Sequence, residues 1–254
     1  MEHNEDEEAH LGTGQSLQSH KASEIIDHVA QSIISDKIKD NEISPEKFSF
    51  GDRFYFNGIQ TLDCFGQSID GSGGSITLEN YGDIVLVAGT AVGNITRAYI
   101  SPIFITLWNE NNPVLEARIN DGQDYNADSA IVIGCDNPFS TTHTMVGFRY
   151  KYSTNKTYAF YVYYSGGSYI TEEVAIFDDV FVSYLMRIEV DSANHVIRYY
   201  KDGILVKTYD YGSRTLFTGT AQLFSFGTKR QNVAGVTRFH VWNLFFTKEG
   251  STEE

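Results

Sequence analysis

The residues able to do chemistry are few and scattered along the chain. Glu172-Glu173 and Asp178-Asp179 bracket the apolar run Val174–Phe177. Neighbouring carboxylates on a strand point to opposite faces, so neither pair converges on one reacting centre, and both read as a solvated strand end. Asp121, Asp124 and Asp128 gather in one loop. Hard oxygen ligands at that spacing suit calcium, but the distal bidentate glutamate of an EF-hand loop is missing. No cofactor is expected, with calcium at this loop the one alternative left open. His3, His10, His20 and His28 recur near the N-terminus. Repeated around a symmetry axis they would offer imidazoles to a transition metal, while the plainer reading makes them local hydrogen-bonding groups. His143, His195 and His240 are scattered, with His195 in a turn. There is no Gly-x-Ser-x-Gly elbow and no His-Glu-x-x-His. On these grounds the chain is expected to be non-enzymatic.

Sugar recognition needs exposed aromatic faces beside polar groups. Tyr158-Ala159-Phe160-Tyr161-Val162-Tyr163-Tyr164 carries rings on both faces, with Tyr161 and Tyr163 on one of them. Together with Trp108 and Tyr200 these are the candidate glycan-binding residues. The competing reading is that such tyrosines are strand formers covering a sheet.

Positioning these side chains falls to a β-rich chain of 254 residues, with 16 Tyr, 17 Phe, 22 Gly and 4 Pro. The net charge of −14 repels polyanions at long range, so nucleic-acid binding is not expected. The two cysteines, Cys64 and Cys135, make no disulfide framework and read as buried thiols. No apolar run is long enough to span a bilayer, and the acidic start Met1-Glu2-His3-Asn4-Glu5-Asp6-Glu7-Glu8 is unlike a signal peptide. A soluble product without the usual secretory signal follows as an expectation.

Residues 1–50 differ in character from the rest, holding 4 Lys against 11 Asp or Glu. Too little apolar area is present there to offset chain entropy in an independent fold. From Ser16 to about Lys39, apolar residues recur at three-and-four spacing, which predicts a helix. Its stripe of Ile25, Ile26, Val29, Ile33, Ile34 and Ile38 must be buried, either on its own domain or between copies. Burial between copies is the favoured reading, making these six residues an assembly interface. The expected division is therefore 1–47, an acidic attachment and oligomerisation segment, and 48–254, a β domain.

From Phe48 onward short strands alternate with turns such as Asn120-Asp121-Gly122, Ser165-Gly166-Gly167 and Asp202-Gly203. About fourteen strands without intervening helices predict two packed antiparallel sheets, a mainly β sandwich. In Tyr184–Val190, Met186, Ile188 and Val190 share one face, while Arg187 and Glu189 take the other.

Two segments carry a family resemblance. His3-Asn4-Glu5-Asp6-Glu7-Glu8-Ala9-His10 looks like the His-Asn-x-Asp-x-x-Ala-His element of bacteriophage tail-fibre and baseplate proteins. Leu185 to Asp191, followed by Val196 to Val206 with its Asp-Gly turn, and the closing Phe239–Phe246, resemble the concanavalin A-like lectin/glucanase jelly roll. Glucanases of that fold carry Glu-x-Asp-x-(x)-Glu on one strand, and this sequence has no such element. The resemblance implies a non-enzymatic virion protein of tail fibre, baseplate or head fibre, with an N-terminal helical segment and a jelly-roll domain meeting a host-surface glycan. Its implied partners are further copies, as a homotrimer by the habit of tail fibres, and other virion proteins. A purely architectural role and a polysaccharide depolymerase stay open as alternatives.

Overall fold

The computed structural model describes residues 53–56, 62, 65–79, 83–100, 107–120, 126–178, 183–220, 223–233 and 237–248. The chain divides into two units, Met1–Phe48 and Ser49–Glu254, and all described residues belong to the second. The expected helix, its six-residue apolar stripe and the four N-terminal histidines lie outside the described residues.

Among the described residues the chain forms seventeen strands and no long helix. The first six are β1 (Arg53–Phe56), β2 (Gly66–Ile69), β3 (Ser75–Leu78), β4 (Ile84–Val87), β5 (Ile95–Ile100) and β6 (Leu107–Trp108). Next come β7 (Val114–Asn120), β8 (Ala127–Ile133), β9 (Met145–Lys151), β10 (Lys156–Ser165), β11 (Ser168–Asp178) and β12 (Tyr184–Asp191). The last five are β13 (Val196–Lys201), β14 (Ile204–Asp210), β15 (Thr218–Thr220), β16 (Phe224–Arg230) and β17 (Arg238–Thr247). No described helix is long and apolar enough to cross a membrane.

Fifteen of these strands form two antiparallel sheets. The eight-stranded sheet runs β14-β13-β12-β7-β17-β4-β3, with β1 also on β17. The seven-stranded sheet runs β11-β10-β9-β8-β16-β5-β2, and β6 with β15 makes a separate two-stranded ribbon. The far side of β17 is shared: β4 takes Arg238–Val241 and β1 takes Leu244–Thr247. The ladder shifts between them, where Asn243 adopts φ 50°, so a bulge lets one strand serve two neighbours.

One core joins the sheets. Ile188 and Tyr199 from the eight-stranded sheet meet Phe148 and Phe226 from the seven-stranded one. Phe148 and Tyr199 pack edge to face at 5.1 Å. Burying side chains of this size contributes about 1.5–3 kcal/mol each. Two tyrosine tips bond across the core: the Tyr199 hydroxyl donates to the Phe160 carbonyl at 2.6 Å and Tyr209 to that of Ala159 at 3.3 Å. The expected mainly β antiparallel sandwich is what the chain forms.

Candidate functional site

The outer face of the eight-stranded sheet carries an open hollow of about 270 Å³, lined by Glu116, Leu185, Arg187, Glu189, Tyr200 and Gly203. Its geometry follows from strand alternation. In β12 every second residue is buried, leaving Leu185, Arg187, Glu189 and Asp191 on the outside. Register then sets the neighbours: Glu116 of β7 lies opposite Arg187, and so does Tyr200 of β13 on the other flank. The Asp202-Gly203 turn closes one side. Both residues sit at positive φ (49° and 78°), which suits a two-residue hairpin. The Asp202 carboxylate anchors this turn by accepting from the Leu185 amide at 2.9 Å.

Arg187 is the centre of the charge arrangement. Its Nε donates to Glu189 Oε1 at 2.7 Å and its Nη1 approaches Glu116 Oε2 at 3.5 Å. The Tyr200 hydroxyl donates to Glu189 Oε2 at 2.9 Å, so both oxygens of Glu189 are held. Burial, reinforced by the Glu189 charge, pushes the Tyr200 phenol above its ordinary pKa and keeps it a donor. Next along the face, Asp191 accepts from the Asn194 side chain at 2.8 Å and from Arg198 at 3.0 Å. These donors, Asn194 foremost, hold its carboxyl below the usual range. Three carboxylates and two guanidiniums thus share one accessible sheet face beside an aromatic ring.

The candidate aromatics do not come together. Tyr161 is 0% exposed and Tyr163 8%, so neither presents a ring to an external sugar. Both face the other sheet. Tyr161 accepts from Arg214 at 3.1 Å, while the Arg214 guanidinium lies 4.6 Å above the Tyr163 ring and 3.2 Å from Glu172. The expectation that they form a glycan platform is corrected accordingly. Trp108 is exposed on the two-stranded ribbon, away from the lining of the hollow. Tyr200 alone of the four lines the hollow.

Of the calcium loop, Asp121 and Asp124 lie outside the described residues. Asp128 is engaged by the protein, accepting from the Tyr152 amide at 2.8 Å and from Gln231 at 2.6 Å. Burial raises its pKa. Among the described residues no cluster of three metal-ligating side chains occurs. Glu172 and Glu173 point to opposite sides, towards Arg214 and Lys151 respectively. Cys135 is a buried free thiol whose pKa burial pushes up to about 11. His195 stacks edge-on against Tyr211, and His240 lies 3.5 Å from Asp83. Sequence reasoning passed over Glu116, Glu189 and Asp191 as a group. The signal was the outward series Arg187-x-Glu189-x-Asp191, but its pairing with Glu116 depends on strand register.

No family model matches the chain, and no curated protein matches it in sequence. Similar solved structures are many. A Bacillus licheniformis β-glucanase superposes with TM-score 0.55 at 12% identity, covering 80% of this chain and 100% of that one. A β-1,3-1,4-glucanase (lichenase) from a mouse hindgut metagenome gives 0.55 at 9%, covering 78% and 99%. The carbohydrate recognition domain of Emp47p gives 0.54 at 10%, covering 80% and 97%. At such identity the likeness shows the fold: this is the concanavalin A-like lectin/glucanase jelly roll. It also corrects the expectation of a non-enzymatic virion structural protein, because the sandwich is shared with glycoside-cleaving enzymes.

Proposed function

We propose that the chain is a carbohydrate-active enzyme, acting on a glycosidic bond at the hollow on the outer face of the eight-stranded sheet. The observation that carries this reading is the pair of carboxylates, Glu116 and Glu189, held on either side of Arg187 in an accessible hollow beside Tyr200. Glycoside cleavage uses two carboxyl groups, one to protonate the leaving oxygen and one as nucleophile or base. Glu189, with both oxygens accepting from donors, is assigned the role of nucleophile or base in this reading. Glu116, whose 3.5 Å contact to Arg187 is the longer of the two, is assigned the role of acid in this reading. Tyr200 supplies a ring edge and a hydroxyl for a sugar.

Support for the substrate class comes from the fold's company, which includes two glucanases and a carbohydrate recognition domain. The charge of −14 favours an uncharged glycan over an acidic one. The test is release of reducing ends from soluble β-glucans by the full chain. Glu189→Gln and Glu116→Gln should each lower the rate by about 10²–10⁴-fold, the usual worth of a positioned acid or base. Thermal unfolding serves as the folding control. A wild-type chain that releases no reducing ends, or variants as active as the wild type, would overturn the reading.

A further inference from the structure

Among the described residues the seven-stranded sheet ends in β11, an eleven-residue strand paired there only to β10. A bare edge leaves a row of backbone N–H and C=O groups open to another strand, and proteins usually blunt it with lysine, proline or shortness. Ser168–Asp178 contains no lysine and no proline. Most of it is exposed, including Tyr169 (41%), Ile170 (39%) and Val174 (37%), next to Tyr164 (55%) across the hairpin. Its acidic side chains are already answered within the molecule: Glu172 by Arg214, Glu173 by Lys151 and Asp178 by Lys156. The edge is therefore long, partly apolar and locally neutral, a surface that can meet its own copy without bringing unpaired like charges into contact.

We propose that two copies of this chain pair antiparallel through β11 about a two-fold axis at Thr171, joining their seven-stranded sheets into one. The register follows from elimination. Residues opposite each other must share a face, so the axis passes through a residue and not between two. An axis at Glu172 or Glu173 sets like carboxylates directly opposite, which is destabilising. An axis at Val174 runs into the irregularity where the β10 ladder steps from Ala175 to Phe177. An axis at Ile170 leaves a shorter ladder. At Thr171 the pairs are Thr171 with Thr171, Ile170 with Glu172, Tyr169 with Glu173 and Ser168 with Val174. No like charges oppose, and the central threonine pair is a favourable one.

Sedimentation and light scattering of the full chain should report twice the 28.5 kDa chain mass. Thr171→Lys, which sets two ammonium groups opposite each other, should return it to the single-chain mass while keeping a cooperative unfolding transition, its midpoint lowered only by the lost self-association. Directly opposed Cα atoms lie about 4.5–5.5 Å apart, within disulfide reach, so Thr171→Cys should give a covalent dimer on mild oxidation. Ser168→Cys, facing Val174 of the other copy, should not. A single-chain mass for the wild type would overturn the proposal. So would an oligomer indifferent to Thr171→Lys, or equal cross-linking at the two cysteine positions.

Discussion

The outer faces of the two sheets obey the same two-residue alternation, yet one carries an open polar hollow and the middle of the other is dry. On the eight-stranded sheet, outward Arg187, Glu189, Asp191, Arg198 and Tyr200 are half-buried and bonded to one another around an open hollow. On the seven-stranded sheet the segment 134–144 crosses the face. Cys135 joins Val132, Met145, Phe160 and Val162 in a second buried cluster. Pro138 lies over Gly227, where an added Cβ would approach the proline ring to 3.2 Å, and the Pro138 carbonyl accepts from Arg149 at 3.2 Å. Dehydration shows in the ionisable groups. Burial raises Asp128 and Cys135 and lowers Arg149, whose guanidinium rests 4.3 Å above the Phe160 ring. The contrast teaches that alternation decides which side chains leave the core, while the connecting segments decide whether those side chains meet solvent.

The largest effect that would break this contrast lies on the covered face. Phe160→Ala should cost about 3–5 kcal/mol, as for a ring removed from a packed interior, although Phe160 points away from the main core. Leu185→Ala on the open face should change stability by about 0.5 kcal/mol or less. Urea unfolding midpoints of the two variants measure the difference, and equal losses would erase the distinction between the faces.

A smaller effect concerns two carboxylates. Asp191 has a folded pKa below its unfolded one, so its contribution is present above the unfolded value of about 3.9 and lost as pH falls through the folded value. Replacing it with asparagine should destabilise the protein at pH 7 and matter progressively less below about pH 4. Asp128 carries the opposite sign. Its raised folded pKa means that ionisation opposes folding, so Asp128→Asn should gain on the wild type as pH rises above about 4. Thermal unfolding between pH 3 and 7 reads both slopes, and slopes of the same sign would contradict the assigned environments.

Much of this was legible in the sequence, and the losses have physical causes. The Asp202-Gly203 hairpin and the alternation in Tyr184–Asp191 are local, so spacing alone revealed them. The strands Gly66–Ile69 and Thr218–Thr220 escaped notice because they are short and lack an apolar face. Rings on both faces of Tyr158–Tyr164 suggested one exposed platform. The strand is instead largely covered on both sides, on one by the opposite sheet and on the other by the 134–144 segment, a pattern that doubly apolar strands share. The Glu116–Arg187–Glu189 arrangement was hidden because Glu116 lies far away in sequence and reaches Arg187 only through the β7–β12 register.

Amide hydrogen exchange in the presence of a soluble β-glucan oligosaccharide, run on the Glu189→Gln chain, tests directly whether the open face meets a sugar. Slowed exchange confined to Tyr184–Asp191, Val196–Lys201 and the Asp202-Gly203 turn is the expected result. Protection falling instead on Ala127–Ile133 and Met145–Lys151, beneath the covering segment, would contradict the assignment of the open face as the site of action.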